Sequence, residues 1–153
     1  VTSPTSFVDE LLPGALSSQR AVGIPASFTI AEAALESGWG TSLLAVQGKN
    51  LFGVKADLSW HGPTIDMRTR EFEAGVWTIV IARWRSYASW ADCISDHAAF
   101  LRSNPRYSSC FQTKSGAEFA ARVAAAGYAT DPTYADKLQD IIRYHSLDQY
   151  DAL

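Results

Sequence analysis

Apolar positions recur at helical spacing over most of the 153-residue chain and lose that spacing only in the middle. Val1–Ser6 reads as a linker or cap, with Ser6 placed to cap a helix through Phe7-Val-Asp-Glu-Leu-Leu12. Pro13-Gly14 either interrupts that helix or bends its path. Gly23-Ile-Pro25 is a breaker followed by a proline that a first helical position tolerates. Phe28, Ala31, Ala34 and Leu35 then predict a second helix, ending near Ser37-Gly38 where glycine permits a left-handed exit. Ser42–Val46 supplies another turn or two. Between Trp60 and Tyr87, β-branched and aromatic residues flank Ala74-Gly75, predicting a β-hairpin of Thr64–Glu73 and Val76–Trp84. The helical period returns from Ala88, with Trp90, Ile94, His97, Ala98 and Leu101 in one stripe that stops at Asn104-Pro105. Ala117–Ala126 predicts a further helix, ended by Gly127. Asp131-Pro132 opens a last one, with Tyr134, Leu138, Ile141 and Ile142 facing inward. The expected architecture is α+β and mainly helical: a single domain over 1–153 with a small hairpin lobe at about 60–87.

Composition narrows the class. Hydrophobic side chains make up 47% of the chain, enough to offset the ordering entropy that keeps polar chains disordered. A net charge of −3 lacks the cationic footprint that nucleic-acid phosphates require. The strongest apolar run, Val76–Ala82, is far shorter than the ~20 residues of a membrane-spanning helix. The chain begins at Val1 and its single methionine is Met67, so a piece of a larger exported protein is expected. Charges are dispersed, and a monomer is expected.

The densest chemical signal is Ala33-Ala-Leu-Glu-Ser-Gly-Trp-Gly40. Glu36 sits in the last turn of its helix, where the dipole disfavours a carboxylate by about 0.3–1 kcal/mol. Burial raises a carboxyl by far more, so desolvation dominates if Glu36 lines an apolar cleft walled by Trp39. A glutamic acid kept protonated in this way donates a proton to a leaving oxygen, as the acid of lysozyme does. A solvated helix-end Glu is the competing reading.

Further blocks decide between them. Asn50-Leu-Phe-Gly-Val-Lys55, Trp60-His-Gly-Pro63, Thr69-Arg-Glu-Phe-Glu73, Arg85-Ser-Tyr87, Asn104-Pro-Arg-Tyr107 and Ala126-Gly-Tyr-Ala-Thr-Asp-Pro132 follow in order. Tyr134-Ala135 and Lys137-Leu138 complete the series. Together with the Glu36 block, over about Phe7 to Tyr150, they resemble the glucosaminidase family of bacterial cell-wall hydrolases, nearest to members that act at the flagellar rod. The resemblance implies a lysozyme-like helical core with a small β-lobe. It implies cleavage of β-1,4 bonds in peptidoglycan glycan strands by an endo-β-N-acetylglucosaminidase. N-acetylmuramidase specificity and a catalytically silent glycan-binding module are the alternatives. On the matching positions Glu36 is the general acid, Glu71 the second carboxylate and Tyr128 a third residue tied to activity. Relatives often carry Asn-Gly at the hairpin tip where this chain has Ala74-Gly75, and Glu73 shares a strand face with Glu71.

Two routes remain open: water activated by Glu71, or attack by the substrate's own acetamido group. Trp39, Phe52, Trp60 and Tyr134 offer faces for sugar rings, some of them being core. Asn50 is a partner for an acetamido group or a turn residue, and Asp96 a cleft carboxylate or a helix ion pair. Glu32, one turn before Glu36, is structural or on the rim. His61, His97 and His145 give no zinc spacing, so neither metal nor cofactor is expected. Cys93 and Cys110 are either a disulfide or two buried thiols, and Cys93 with His97 raises a remote cysteine-amidase reading. The implied setting is the periplasm or cell wall. The expected partners are peptidoglycan glycan strands, with flagellar rod proteins or a cognate immunity protein as further candidates.

Overall fold

The structure, a computed structural model, describes residues 3–153; Val1 and Thr2 of the expected linker lie outside the described residues. Among the described residues, six α-helices and one β-hairpin follow in chain order: α1 (Pro4–Val22), α2 (Ala26–Ser37), α3 (Leu43–Gln47), β1 (Thr64–Glu73), β2 (Val76–Arg85), α4 (Trp90–Ser103), α5 (Gly116–Ala125) and α6 (Tyr134–Tyr144). Short 3₁₀ turns at Pro105–Gln112 and Leu147–Tyr150 fill the gaps after α4 and α6.

The first helix starts earlier and runs further than its sequence suggests. Ser3, not Ser6, is its cap, accepting the Ser6 N–H, and Pro4 occupies the first turn, where a missing N–H costs nothing. Pro13 stays inside the helix. Its side chain is exposed, so the Asp9 carbonyl that it leaves without a partner faces water. Gly14 lets α4 approach: an added Cβ there would lie 3.3 Å from Ile94 and 3.6 Å from the Ala91 backbone.

α2 is the central helix. Ala26 to Ala34 are all buried, because α1, α5, α6 and the Leu147–Tyr150 turn all pack on it. Pro25 stands at the N-cap with no side chain to serve the first N–H groups. Asp151, near the C-terminus, does so instead, accepting from the Ser27 N–H at 2.9 Å, the Ser27 hydroxyl at 2.7 Å and the Gly116 N–H at 3.0 Å. One carboxylate thus ties the N-terminal ends of α2 and α5 together. Gly38 ends α2 in the left-handed conformation, as its position predicts. Cys93 and Cys110 are buried free thiols.

The strands pair antiparallel from Thr64↔Arg85 to Glu73↔Val76. At the base, Val54–Ala56 makes an isolated antiparallel bridge to β2 through Arg85 N–H to Val54 O (3.1 Å) and Ala56 N–H to Arg83 O (2.9 Å). Beyond it the ribbon stands free, leaving Phe72, Trp77, Ile79 and Ile81 exposed. Ala74 (φ 50°) and Gly75 (φ 80°) form the turn with both central residues left-handed. Alanine is strained there, whereas asparagine tolerates it. Ala74→Asn is therefore expected to stabilise the ribbon by about 0.5–1 kcal/mol, read as roughly two- to fivefold slower hydrogen exchange of its cross-strand amides.

Candidate active site

A helix apolar on every side carries any polar residue in its middle into the core, and α2 does this to Glu32, which has no exposed surface. An unpaired carboxylate there would be costly. Both oxygens are engaged: Oε1 lies 2.7 Å from His97 Nε2 of α4, and Oε2 accepts the Tyr134 hydroxyl of α6 at 2.8 Å. The rim reading of Glu32 is thereby overturned. The Tyr128 hydroxyl lies 3.1 Å from the same His97 nitrogen, and the Tyr128 ring packs beside those of Tyr107 and Tyr134. Burial first, and the Glu32 charge second, push the Tyr128 and Tyr134 hydroxyls far above the ordinary phenol range, so both stay protonated.

Glu36 lies one turn further along α2. Its side chain reaches solvent, but protein crowds the carboxyl from below. That partial burial raises its pKa above the usual 4.5, and the Glu32 charge raises it further. The Tyr134 hydroxyl and His97 act in the opposite direction, more weakly. The outcome is a carboxyl with water access whose pKa lies above the ordinary glutamate value.

His97 carries this network to a cleft of about 550 Å³, lined among others by Phe52, Arg85, Asp96, Phe100 and Tyr128. Phe52 stacks on the His97 ring at 4.2 Å. Asp96 accepts from Arg85 Nη1 (2.8 Å) and the Tyr87 hydroxyl (2.6 Å), and the Arg85 guanidinium covers the Trp60 ring at 4.9 Å. Asp96 therefore sits in the cleft wall and is ion-paired there. Lys55, also in the wall, bonds Glu71 at 3.0 Å. This contact reports the shape of the ribbon. Lys55 bridges Trp84, which pairs with Ile65, whereas Glu71 is six residues further along β1. A straight ribbon would separate those levels by ~20 Å, beyond the reach of the two side chains, so the hairpin curls back and brings Glu71 to the wall. Glu73 is exposed beside the turn.

Three expected sugar contacts lie elsewhere. Trp39 does not wall this cleft. Its own left-handed backbone (φ 59°) turns the ring edge-on to Phe7 and His145, beside a separate hollow at the end of α6. Asn50 is buried, and both its N–H donors are used on Val54 O and Arg85 O, so it holds the turn and not an acetamido group. Tyr134 is buried, with its hydroxyl on Glu32, and offers no open face. Trp60 is half-buried, donating to Pro63 O at 2.8 Å with its ring edge-on to Tyr87. Cys93 accepts the Leu51 N–H at 3.3 Å, and burial pushes its thiol up to about 12, which removes the thiolate an amidase would need. Glu32 and His97 were the residues undervalued in the sequence. The signal for Glu32 was its place as the one charged residue in a run, Ala26 to Leu35, whose other polar side chains are the small hydroxyls of Ser27 and Thr29.

A helical core built round one buried helix, with a single β arm curling over a cleft, is a lysozyme-like architecture. The comparisons make it specific. The glucosaminidase family, described as mannosyl-glycoprotein endo-beta-N-acetylglucosaminidase, matches residues 12–147. Peptidoglycan hydrolase FlgJ of Vibrio parahaemolyticus is 40% identical over 143 residues, covering 91% of this chain and 46% of that one. Exo-glucosaminidase LytG of Bacillus subtilis is 37% identical over 150 residues, covering 95% and 52%. Among solved structures, the catalytic domain of the autolysin Auto from Listeria monocytogenes superposes with a TM-score of 0.89 at 31% identity, covering 98% of this chain and 88% of that one. The chain belongs to the glucosaminidase family. It spans about half the length of the curated relatives it matches.

Proposed function

We propose that this domain hydrolyses β-1,4 glycosidic bonds in the glycan strands of peptidoglycan as an endo-β-N-acetylglucosaminidase. The observation that carries the reading is Glu36: a carboxyl open to water whose pKa is raised by burial and by the Glu32 charge, linked through Tyr134, Glu32 and His97 to the cleft. A leaving sugar oxygen needs such a donor, because an alkoxide is a poor leaving group near neutral pH. Glu71, held by Lys55, supplies the second carboxylate and directs water at the oxocarbenium-like carbon. Tyr128 supports the site as a protonated hydroxyl beside His97. FlgJ and LytG, named as a peptidoglycan hydrolase and an exo-glucosaminidase, support the substrate class and the sugar. A place outside the cytoplasm, where peptidoglycan lies, follows from that substrate.

The test is the chemistry of the new chain ends. Purified peptidoglycan is digested, the products are reduced with borohydride, and the fragments are identified by mass spectrometry. Fragments of mixed length ending in N-acetylglucosaminitol are expected. N-acetylmuramitol ends would make the domain a muramidase, and terminal units alone would make it an exo-acting enzyme. The absence of glycosidic products would leave a binding module.

A further inference from the structure

We propose that Glu32 is a positioning residue for Glu36: its buried carboxylate, locked by His97 and Tyr134 one helical turn beneath, fixes Glu36 as the proton donor of the site. The inference rests on the reading of Glu36 as the acid.

Residues four apart on a helix are neighbours on one face, so the carboxyls of Glu32 and Glu36 project side by side. The lower one has no freedom to move away, being fully buried with His97 on one oxygen and Tyr134 on the other. Those two contacts do not themselves require a charge. A glutamine of the same shape accepts from Tyr134 through its oxygen and donates to His97 through its amide, with far less desolvation cost. What a carboxylate adds is its negative field, and Glu36 is the ionisable group above it. Two carboxylates that share a site resist a second ionisation, so the Glu32 charge opposes loss of the Glu36 proton.

The groups facing Glu36 act in both directions. Glu32 of α2 opposes its ionisation. Tyr134 of α6 and His97 of α4 favour it. Tyr128, a protonated hydroxyl after α5, stands close enough for the Glu36 charge to oppose its own ionisation. Glu32 outweighs each of the two opposing groups, and burial adds to it. It also ties up their polar atoms. Tyr134 directs its hydroxyl to Glu32 at 2.8 Å and His97 turns its Nε2 to the same residue at 2.7 Å, which leaves their pull on Glu36 the weaker effect.

The pH profile of peptidoglycan solubilisation tests this, because loss of activity at high pH reports ionisation of the acid. Glu32→Gln keeps the shape and removes the charge. Its alkaline limb is expected about one pH unit lower than in the wild type, with the folded state verified by circular dichroism. Glu32→Asp, which keeps the charge, is expected to return the limb toward the wild-type position even where its rate is lower. A Glu32→Gln limb that coincides with the wild type, whatever its rate, overturns the inference and makes Glu32 merely structural. Failure of the underlying reading looks different: Glu36→Gln would then keep wild-type activity. Where Glu32→Gln does not fold, the carboxyl ¹³C signal of Glu36 in the wild-type protein decides. A titration midpoint above that of an exposed glutamate is expected, and a midpoint at or below it overturns the proposal.

Discussion

Glu36→Gln is expected to lower peptidoglycan solubilisation about 10³-fold, the usual contribution of a positioned general acid. Glutamine preserves the size of the side chain and its hydrogen-bonding reach but has no proton to give to a departing sugar oxygen. Because Glu36 reaches solvent at the end of α2, the substitution removes no core packing. The thermal midpoint is expected to stay within about 2 °C of the wild type. Removing Glu36 also relieves its repulsion with Glu32, which favours stability slightly. Solubilisation rate and melting temperature, measured on the same preparation, check both halves. A drop in rate accompanied by a large loss of stability would mean that Glu36 holds the fold and does not serve the reaction.

The largest stability effect is expected from one methyl group. Gly116 begins α5 against the start of α2, and a Cβ there would collide with Ser27 Oγ and stand 2.8 Å from the Phe28 nitrogen and 3.1 Å from Ile142. The Phe28 contact is backbone, and Ser27 is pinned by Asp151 through its N–H and its hydroxyl. Neither can turn aside as the end of a long side chain would. In an ordinary helix, replacing glycine with alanine gains about 0.5–1 kcal/mol. Here overpacking reverses the sign, and Gly116→Ala is expected to cost about 3 kcal/mol, lowering the melting midpoint by roughly 6–12 °C. Heat or urea unfolding checks it. An unchanged or raised midpoint would mean that the α2–α5 contact is looser than described.

Local features were legible in the sequence, and those that depend on distant partners were not. The hairpin was readable because β-branched and aromatic strands flank a turn of two residues. The exit of α2 at Gly38 was readable for the same reason, since a left-handed cap is a property of one residue. Ser3 and Ser6 are both good caps, and only the folded chain shows which one is used. Pro13 reads as a breaker, but its cost vanishes on a face where water replaces the lost donor. Within the site, the short block around Glu36 was legible, whereas the environment of Glu32 was not. Its burial comes from α1, α5 and α6 packing on α2, and its partners His97 and Tyr134 stand 65 and 102 positions away in the chain. The place of Trp39 was not legible, because its left-handed backbone points the ring toward α1 and the end of α6. Of the two readings of Asn50 the turn residue is the one its contacts fit, because three backbone groups use its amide.

The central claim is that Glu36 gives its proton to the leaving oxygen, and the most direct measurement varies how much that oxygen needs it. Wild type and Glu36→Gln are compared on an N-acetylglucosaminyl oligosaccharide with a sugar leaving group and on the same glycan carrying a dinitrophenyl group, which departs without protonation. The account predicts a loss of about 10³-fold on the first substrate and less than about tenfold on the second. An equal loss on both would contradict it, because Glu36 would then serve something other than protonation of the departing group.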